Sequence, residues 1–297
     1  MLFGTAGVPR SAEKPNSADG IARLRALGLD AMELQFVRRV AMGEQSAQRV
    51  REVAEACGIR LSAHAPYYIN LNSRDPEKIA ASRERLLKAA RVAALCGARD
   101  VVFHAAYYQQ DAPAEVYKRV RAQLESLTAQ LRDEGLSICL RPETTGKPSQ
   151  FGSLEEILRL SAEIDGVSPC IDFGHLHARS TGAFNTYFEF VTVLEEVGQF
   201  LGGAALQDMH MHLQGMAYTP AGEHKHLNLS ESDLRYRELL QALVDCEVCG
   251  TAICESPNLE KDALLLKTTY QHWVERGIDQ GQDRPGKETS LIGSMED

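Results

Sequence analysis

The chain alternates short apolar runs with longer amphipathic segments, and it repeats this alternation about eight times. Short runs of this kind are typical of parallel strands that are buried on both faces of a sheet. Strands are predicted at Leu2–Gly4, Ala31–Phe36, Ile59–His64, Asp100–His104, Ser137–Arg141, Pro169–Asp172, Ala205–His212 and Thr251–Glu255. Eight strand–helix repeats in a chain of this length predict an α/β fold, the (β/α)8 TIM barrel.

The segments between the runs carry the signals of amphipathic helices. One helix has a single apolar stripe, formed by Val116, Val120, Leu124, Leu127 and Leu131. Ser153 with Glu156 has the form of a capping box, and Ser230 with Asp233 is expected to cap a later helix. An open doubly wound sheet is the alternative, but the early GTAGVP segment is not the GxGxxG motif of nucleotide-binding sheets. We therefore expect a single barrel domain over residues 1–276.

Composition constrains the cellular compartment of the protein and the classes of partner that it can bind. Residues 277–297 are polar and lack periodicity, so a disordered tail is expected there. No apolar run approaches the ~20 residues that span a bilayer, and the N-terminus has no signal-peptide pattern. Seven scattered cysteines indicate the reducing cytoplasm rather than a disulfide framework. The net charge of −9 argues against a protein that coats nucleic acid through bulk charge, although local basic loops remain compatible with it. A monomer is expected.

Four of the nine histidines lie in one stretch, Asp208–His226. Because side chains alternate along a strand, His210 and His212 face the same side. His224 and His226 follow after a glycine-containing loop. Neutral imidazole is a common ligand for zinc-like metals, so the stretch suggests a metal site. Taken alone, it is equally consistent with one buried, hydrogen-bonded histidine and three exposed ones.

Potential metal ligands recur where the predicted strands end. In a barrel the carboxyl ends of the strands surround one axis, and the chemistry of the fold lies there. Successive strand ends and the loops after them offer His64, His104, Glu143, Asp172, His175, His212, His226 and Glu255. A catalytic zinc takes about three protein ligands, so this set is large enough for two or three ions. The many nitrogen ligands favour Zn²⁺, with Mn²⁺ or iron as alternatives, over Mg²⁺.

The motifs HAPYYINL, VVFHAAYY, RPETTGK, IDFGH, MHLQG, HKHLNL and CESP together resemble the endonuclease IV family of apurinic/apyrimidinic endonucleases. That family belongs to the xylose isomerase-like barrel superfamily, and the resemblance covers the chain up to the tail. It implies a zinc-dependent hydrolase with a trinuclear centre. Such an enzyme cleaves DNA on the 5′ side of abasic sites in base excision repair.

The resemblance also implies a role for each ligand. The implied sets are His64, His104 and Glu143 for the first zinc; Glu143, Asp172, His212 and Glu255 for the second; and His175 and His226 for the third. Glu143 would thus bridge the first two ions, and Glu143 and Glu255 are the implied catalytic carboxylates.

The third set departs from the pattern of the family. Where the family has Asp-x-His, this chain has His224-Lys225-His226, so His224 is the candidate ligand in place of the aspartate. Glu223 could replace it if the loop shifted. His210, one barrel layer below His212, is expected to support a ligand rather than to be one.

Candidate DNA contacts lie in the loops beside these ligands. Tyr67 matches the position of an aromatic residue that inserts into DNA in the family, and a stacked ring suits the gap left by a missing base. A tyrosine that only covers the barrel mouth is the equal alternative. Arg38 and Arg39, after the second strand, could reach phosphates, and a solvated helix start is the equal alternative. His177 and His272 lie outside the motifs and are expected at the surface.

Two other functions remain open. A sugar isomerase or epimerase on the same barrel would use one divalent metal, and the ligands of the second set would suffice for it. That function gives no reason for His64, His104 and His226. A non-catalytic metal-binding protein is the third possibility, but storage does not need ligands that converge at an open barrel mouth.

Overall fold

The computed structural model of the protein describes residues 1–281, with side chains up to residue 276. The elements are β1 (Leu2–Ala6), α1 (Ser17–Leu27), β2 (Ala31–Gln35), α2 (Glu44–Cys57), β3 (Arg60–His64), α3 (Pro76–Leu95), β4 (Asp100–Phe103), β5 (Ala106–Tyr107), α4 (Pro113–Asp133), β6 (Cys139–Pro142), β7 (Gln150–Phe151), α5 (Leu154–Glu163), β8 (Cys170–Asp172), α6 (Phe173–Arg179), α7 (Tyr187–Leu201), β9 (Met209–Leu213), β10 (Gly215–Thr219), β11 (Gly222–Leu227), α8 (Tyr236–Asp245), β12 (Gly250–Cys254) and α9 (Glu260–Gly281). The disordered tail predicted from residue 277 starts too early, since α9 continues to Gly281; residues 282–297 lie outside the described residues.

Eight parallel strands form the barrel. Their order is β6-β4-β3-β2-β1-β12-β9-β8. Parallel bridges between Glu143 and Cys170 and between Leu140 and Val167 join the two ends of this sheet. The predicted (β/α)8 fold is therefore confirmed, and the open doubly wound sheet is excluded.

The helices cover the outside of the barrel as the sequence predicts. All five residues of the α4 stripe are buried, and burial of each leucine or valine contributes roughly 1.5–3 kcal/mol. Ser153 and Glu156 form a complete capping box at the start of α5. The cap predicted at Ser230 and Asp233 is wrong, since α8 begins only at Tyr236. Asp233 instead accepts a hydrogen bond from a tyrosine of β10.

The strand predicted from Ala205 is shorter than expected. Gly203–Gln207 forms a 3-10 helix, and β9 begins at Met209. The reason is Gly202, whose φ of 80° turns the chain at the end of α7. His210 and His212 are both buried and both contact a residue of β2 across the barrel, so they face its interior as predicted.

Two small sheets extend beyond the carboxyl ends of the barrel strands. Strands β10 and β11 form an antiparallel hairpin after β9, and β5 pairs with β7. The hairpin contains a bulge beside Ala217 and Tyr218.

In the described part of the chain, no helix has the length and apolar character needed to cross a bilayer. All seven cysteines are free.

Candidate metal centre

Eight of the predicted ligands converge at the carboxyl end of the barrel. They form three adjoining clusters of possible metal ligands, and in each the ligand atoms lie within 4.8 Å of one another. The clusters are His64, His104 and Glu143; Glu143, Asp172, His212 and Glu255; and His175, Glu223 and His226. We call them the first, second and third clusters.

In the first cluster two histidines meet one carboxylate oxygen. Nε2 of His64 and Nε2 of His104 each lie 3.1 Å from Oε2 of Glu143. Nδ1 of His64 lies 2.8 Å from the carbonyl oxygen of Ala65, to which it can donate. That hydrogen bond leaves the lone pair of Nε2 toward the cluster, which is the arrangement that metal-binding histidines show.

The second cluster lies on the other side of Glu143. Nδ1 of His212 lies 3.3 Å from Oε1 of Glu143, 3.6 Å from Oε1 of Glu255 and 4.0 Å from Oδ2 of Asp172. Both Oε1 of Glu143 and Nδ1 of His212 are buried without a hydrogen-bond partner. Buried polar atoms are rarely left unpaired, so this pair fits a bound cation.

The third cluster joins α6 to the hairpin. Nε2 of His175 lies 3.7 Å from Glu223, and Nε2 of His226 lies 4.0 Å from the same carboxylate. Nδ1 of His175 can donate to the carbonyl oxygen of Thr144 at 3.0 Å, so its Nε2 is free to act as a ligand. This geometry fits a metal held by two nitrogens and one carboxylate.

His224 lies outside the third cluster and is exposed. The cause is the bulge in the hairpin: Ala217 pairs with Lys225 and Tyr218 pairs with Glu223, so His224 is the extra residue of β11. The bulge brings Glu223 and His226 to the same side of the strand. The carboxylate therefore comes from one residue earlier than the Asp-x-His pattern predicts.

The centre holds many carboxylates and no permanent cation. In the part of the chain with described side chains, the charged partners within 4.0 Å of Glu33, Glu143, Asp172, Glu223 and Glu255 are all histidines. Buried carboxylates need positive partners or metal ions. Protonated histidines or bound cations must therefore balance the charge.

The pKa shifts of the side chains in the centre reflect this competition between burial and charge. Burial, with the nearby charge of Glu143, raises the pKa of Asp172 to about 8. Burial opposes protonation of His64, yet the hydrogen bond and charge of Glu143 outweigh it and raise the pKa of His64 to about 9. Burial likewise opposes protonation of His175, but Asp172 and Glu143 raise its pKa to about 10. Histidines around Glu143 overcome its burial and hold its pKa well below the usual range.

Two further residues that the sequence did not single out belong to the centre. Glu33 of β2 is fully buried beside His210 and His212. Gln214 donates from Nε2 to both carboxylate oxygens of Asp172, at 2.9 and 2.7 Å, and so fixes that side chain. An acidic residue in the middle of a mostly apolar strand was the available signal for Glu33. For Gln214 the sequence offers only its position next to a strand end.

The candidate DNA contacts lie at the barrel mouth. Arg38 and Arg39 are exposed, and Tyr67 is 51% exposed. The ring centroid of Tyr67 lies 5.8 Å from that of His64. Its neighbour Tyr68, which sequence reasoning passed over, is also exposed. Tyr67 therefore lies beside the first cluster, and the exposed Tyr68 and the two exposed arginines lie in the loops that follow β3 and β2.

The two histidines expected at the surface have different environments. His272 is exposed, but His177 is buried, so the prediction for His177 is wrong. Nδ1 of His177 contacts the carbonyl oxygen of Ala183 at 2.9 Å, and Nε2 lies 3.1 Å from Asp233. This pair ties α6 to the segment after the hairpin and lies outside the metal centre.

The profile of the xylose isomerase-like TIM barrel family matches residues 21–276. An uncharacterized protein of Methanocaldococcus jannaschii is 46% identical over 270 residues, which are 91% of this chain and 97% of that protein. A probable endonuclease 4 of Mycoplasma pneumoniae is 21% identical over 189 residues, 62% of this chain and 63% of the relative.

Solved structures share the fold of the chain. The crystal structure of endonuclease IV from Thermus thermophilus has a TM-score of 0.70 at 21% identity, over 92% of this chain and 99% of that one. A D-tagatose 3-epimerase-like protein has a TM-score of 0.72 at 18% identity, over 95% of this chain and 100% of that one. Because the two scores are so close, the fold does not discriminate between these activities.

Proposed function

We propose that this chain, which belongs to the xylose isomerase-like TIM barrel family, is a metal-dependent phosphodiester hydrolase that cleaves DNA 5′ to abasic sites. The observation that carries the proposal is the first cluster, which shares Glu143 with the second. An isomerase with one metal ion in the second cluster does not need His64 and His104 beside Oε2 of Glu143. When bound, metal ions at such a centre supply Lewis-acid charge to a phosphodiester and make water more acidic.

The three clusters define the ligands of the proposed centre. Glu143 would link the first two positions, since its two oxygens face opposite clusters. Glu223, rather than the exposed His224, would complete the third position with His175 and His226. Nitrogen and carboxylate ligands of this kind suit zinc, and two or three ions can be held; manganese is the alternative.

Glu255 is suited to proton transfer at this site. Its side chain is 12% exposed, whereas those of Glu143 and Asp172 are almost completely buried. A carboxylate that reaches the open side of a cluster can accept a proton from a water molecule beside the phosphate. We therefore assign Glu255 to proton transfer and Glu143 to holding the centre together.

The barrel mouth supplies the proposed DNA contacts. Arg38 and Arg39 would bind backbone phosphates on an otherwise acidic protein. The backbone N–H of Tyr67 donates to the carbonyl oxygen of Val37 at 3.2 Å, so the tyrosine loop and the arginine loop are joined. The exposed ring of Tyr67 would stack in the gap left by a missing base. The endonuclease names of the Thermus and Mycoplasma relatives agree with this assignment.

A defined abasic duplex tests the proposal. The substrate is a 5′-labelled duplex with one tetrahydrofuran site, and the matched control is the same duplex with a normal nucleotide there. We expect one cut on the 5′ side of the tetrahydrofuran, loss of cutting after removal of metal by a chelator, and recovery with zinc. Glu143→Gln should cut the abasic duplex far more slowly. A zinc-loaded protein that leaves the abasic duplex intact would contradict the proposal.

A sugar isomerase or epimerase is the second candidate. The second cluster alone offers two glutamates, an aspartate and a histidine for one divalent ion, and the epimerase-like structure shares the fold. This function predicts one bound manganese or magnesium ion per chain. It also predicts exchange of a carbon-bound proton when a ketohexose is incubated with the protein in deuterated water.

A further inference from the structure

A carboxylate with no place in the three clusters lies beside His212, a residue of the second cluster. Glu33 belongs to β2 and is completely buried in the barrel interior. Its Oε2 accepts a hydrogen bond from Oγ of Ser62 at 3.0 Å and lies 2.9 Å from Nε2 of His210. Its Oε1 lies 3.1 Å from Nε2 of His212. One carboxylate therefore connects the barrel interior to a candidate metal ligand.

The two ring nitrogens of His212 face different surroundings. Nδ1 points to the carboxylates of the second cluster, and Nε2 points to Glu33. Neither nitrogen is aligned for a hydrogen bond, and both are buried. A proton on Nδ1 would remove the ligand lone pair and would leave the lone pair of Nε2 against a carboxylate oxygen. A proton on Nε2 instead leaves the lone pair of Nδ1 for a metal ion, and it faces a carboxylate oxygen that can accept it.

We propose that Glu33 is a positioning residue that keeps the ring proton of His212 on Nε2 and so presents Nδ1 to a metal ion. Metal-binding histidines commonly donate their other N–H to a carboxylate, and that contact fixes the tautomer and the ring orientation. Glu33 can fill this role, because Oε2 already has Ser62 and His210 as partners. Oε1 accepts one hydrogen bond from Nε2 of Gln35 at 3.3 Å, and its second lone pair is available to His212.

The role of Glu33 does not depend on which reaction the protein catalyses. His212 belongs to the second cluster, which both the hydrolase and the epimerase would use. Metal binding tests the role of Glu33, whereas abasic DNA tests the proposed hydrolase. Either of the two proposals can fail while the other stands.

The first test uses the wild-type protein loaded with zinc and labelled with ¹⁵N at histidine. The spectrum of His212, assigned by comparison with His212→Gln, should show hydrogen on Nε2 and a metal-coordinated Nδ1. A proton on Nδ1 would overturn the proposal. This measurement does not require any Glu33 variant to fold.

The second test compares zinc retention in two variants by competition with a chromophoric chelator. Glu33→Gln preserves the shape of the side chain but removes its charge, and it should weaken one zinc by about 10- to 100-fold. Glu156→Gln is the matched control, because Glu156 accepts from Tyr108, Gly152 and Ser153 outside the centre. Zinc affinity in Glu33→Gln equal to that of the control would show that Glu33 is only structural.

Discussion

The backbone N–H of Glu223 donates to the carbonyl oxygen of Gly146 at 2.8 Å. This hydrogen bond joins β11 of the hairpin to the loop after β6. The third cluster therefore depends on the contact between these two segments as well as on its three side chains. A change in the loop can empty a metal position without removing any ligand.

Gly146→Ala should displace Glu223 from the third cluster. A Cβ at position 146 would lie 2.6 Å from Cβ of Glu223 and 2.9 Å from Oε2 of that residue, closer than atoms can pack. We expect the retained zinc to fall by one ion per chain in elemental analysis after dialysis. Gly43→Ala is the control, since nothing lies within 4 Å of a Cβ there. Full zinc content in Gly146→Ala would show that the third position does not need this packing.

Substitutions at two neighbouring residues should separate the proposed ligand from the one that the sequence pattern favours. Glu223→Gln removes the carboxylate from the third cluster, and we expect about a tenfold or greater loss of affinity for one zinc. His224→Ala should leave zinc content unchanged, because that side chain is exposed outside the cluster. Loss of zinc in His224→Ala, with zinc affinity unchanged in Glu223→Gln, would mean that the hairpin shifts its register when metal binds.

The sequence predicted the ring of strand ends but not the details that depend on tertiary contacts. His64, Glu143 and Asp172 could be predicted because each ends a short apolar run, and a barrel brings such ends together. Glu223 could be named only as an alternative to His224, since the pairing of β11 with β10 decides which residue of the loop is bulged. The burial of His177 also could not be predicted from local sequence, because its partner Asp233 is 56 residues away in the chain.

Glu143→Gln should disrupt the first and second clusters together. The substitution removes the charge that both share, and its amide nitrogen would oppose a cation on one side. We expect cleavage of the abasic duplex to fall on the order of 10²–10³-fold, the size typical for loss of one electrostatic stabiliser. Glu156→Gln serves again as the control. A variant with full activity and full zinc content would remove Glu143 from its bridging role.

Zinc binding should release protons and should become tighter as the pH rises. The metal-free folded protein keeps a proton on Asp172 below a pKa of about 8, and on His64 and His175 below pKa values of about 9 and about 10. A cation must displace these protons, so at neutral pH protons compete with the metal and the competition weakens at higher pH. Calorimetry in buffers of different ionisation enthalpy measures the protons released. Affinity that does not change with pH would contradict these shifts.

Tyr67→Ala should weaken binding to DNA without changing the metal content. The ring of Tyr67 is exposed at the barrel mouth, and loss of one aromatic stack on a nucleic acid costs about 1–3 kcal/mol. The dissociation constant for a tetrahydrofuran duplex should therefore rise by about fivefold to about a hundredfold. Fluorescence anisotropy on the zinc-loaded protein gives the measurement, with a duplex in which an uncleavable methylphosphonate replaces the phosphodiester 5′ to the tetrahydrofuran.

Phe200→Ala, measured with the same uncleavable duplex, is the control for loss of an exposed aromatic ring. Phe200 is 41% exposed near the end of α7, on the side of the barrel where β9 begins, away from the proposed DNA contacts. It should leave DNA affinity unchanged. If Tyr67→Ala behaves in the same way, Tyr67 only covers the mouth of the barrel, and recognition of the abasic site must come from Tyr68 or from the arginines after β2.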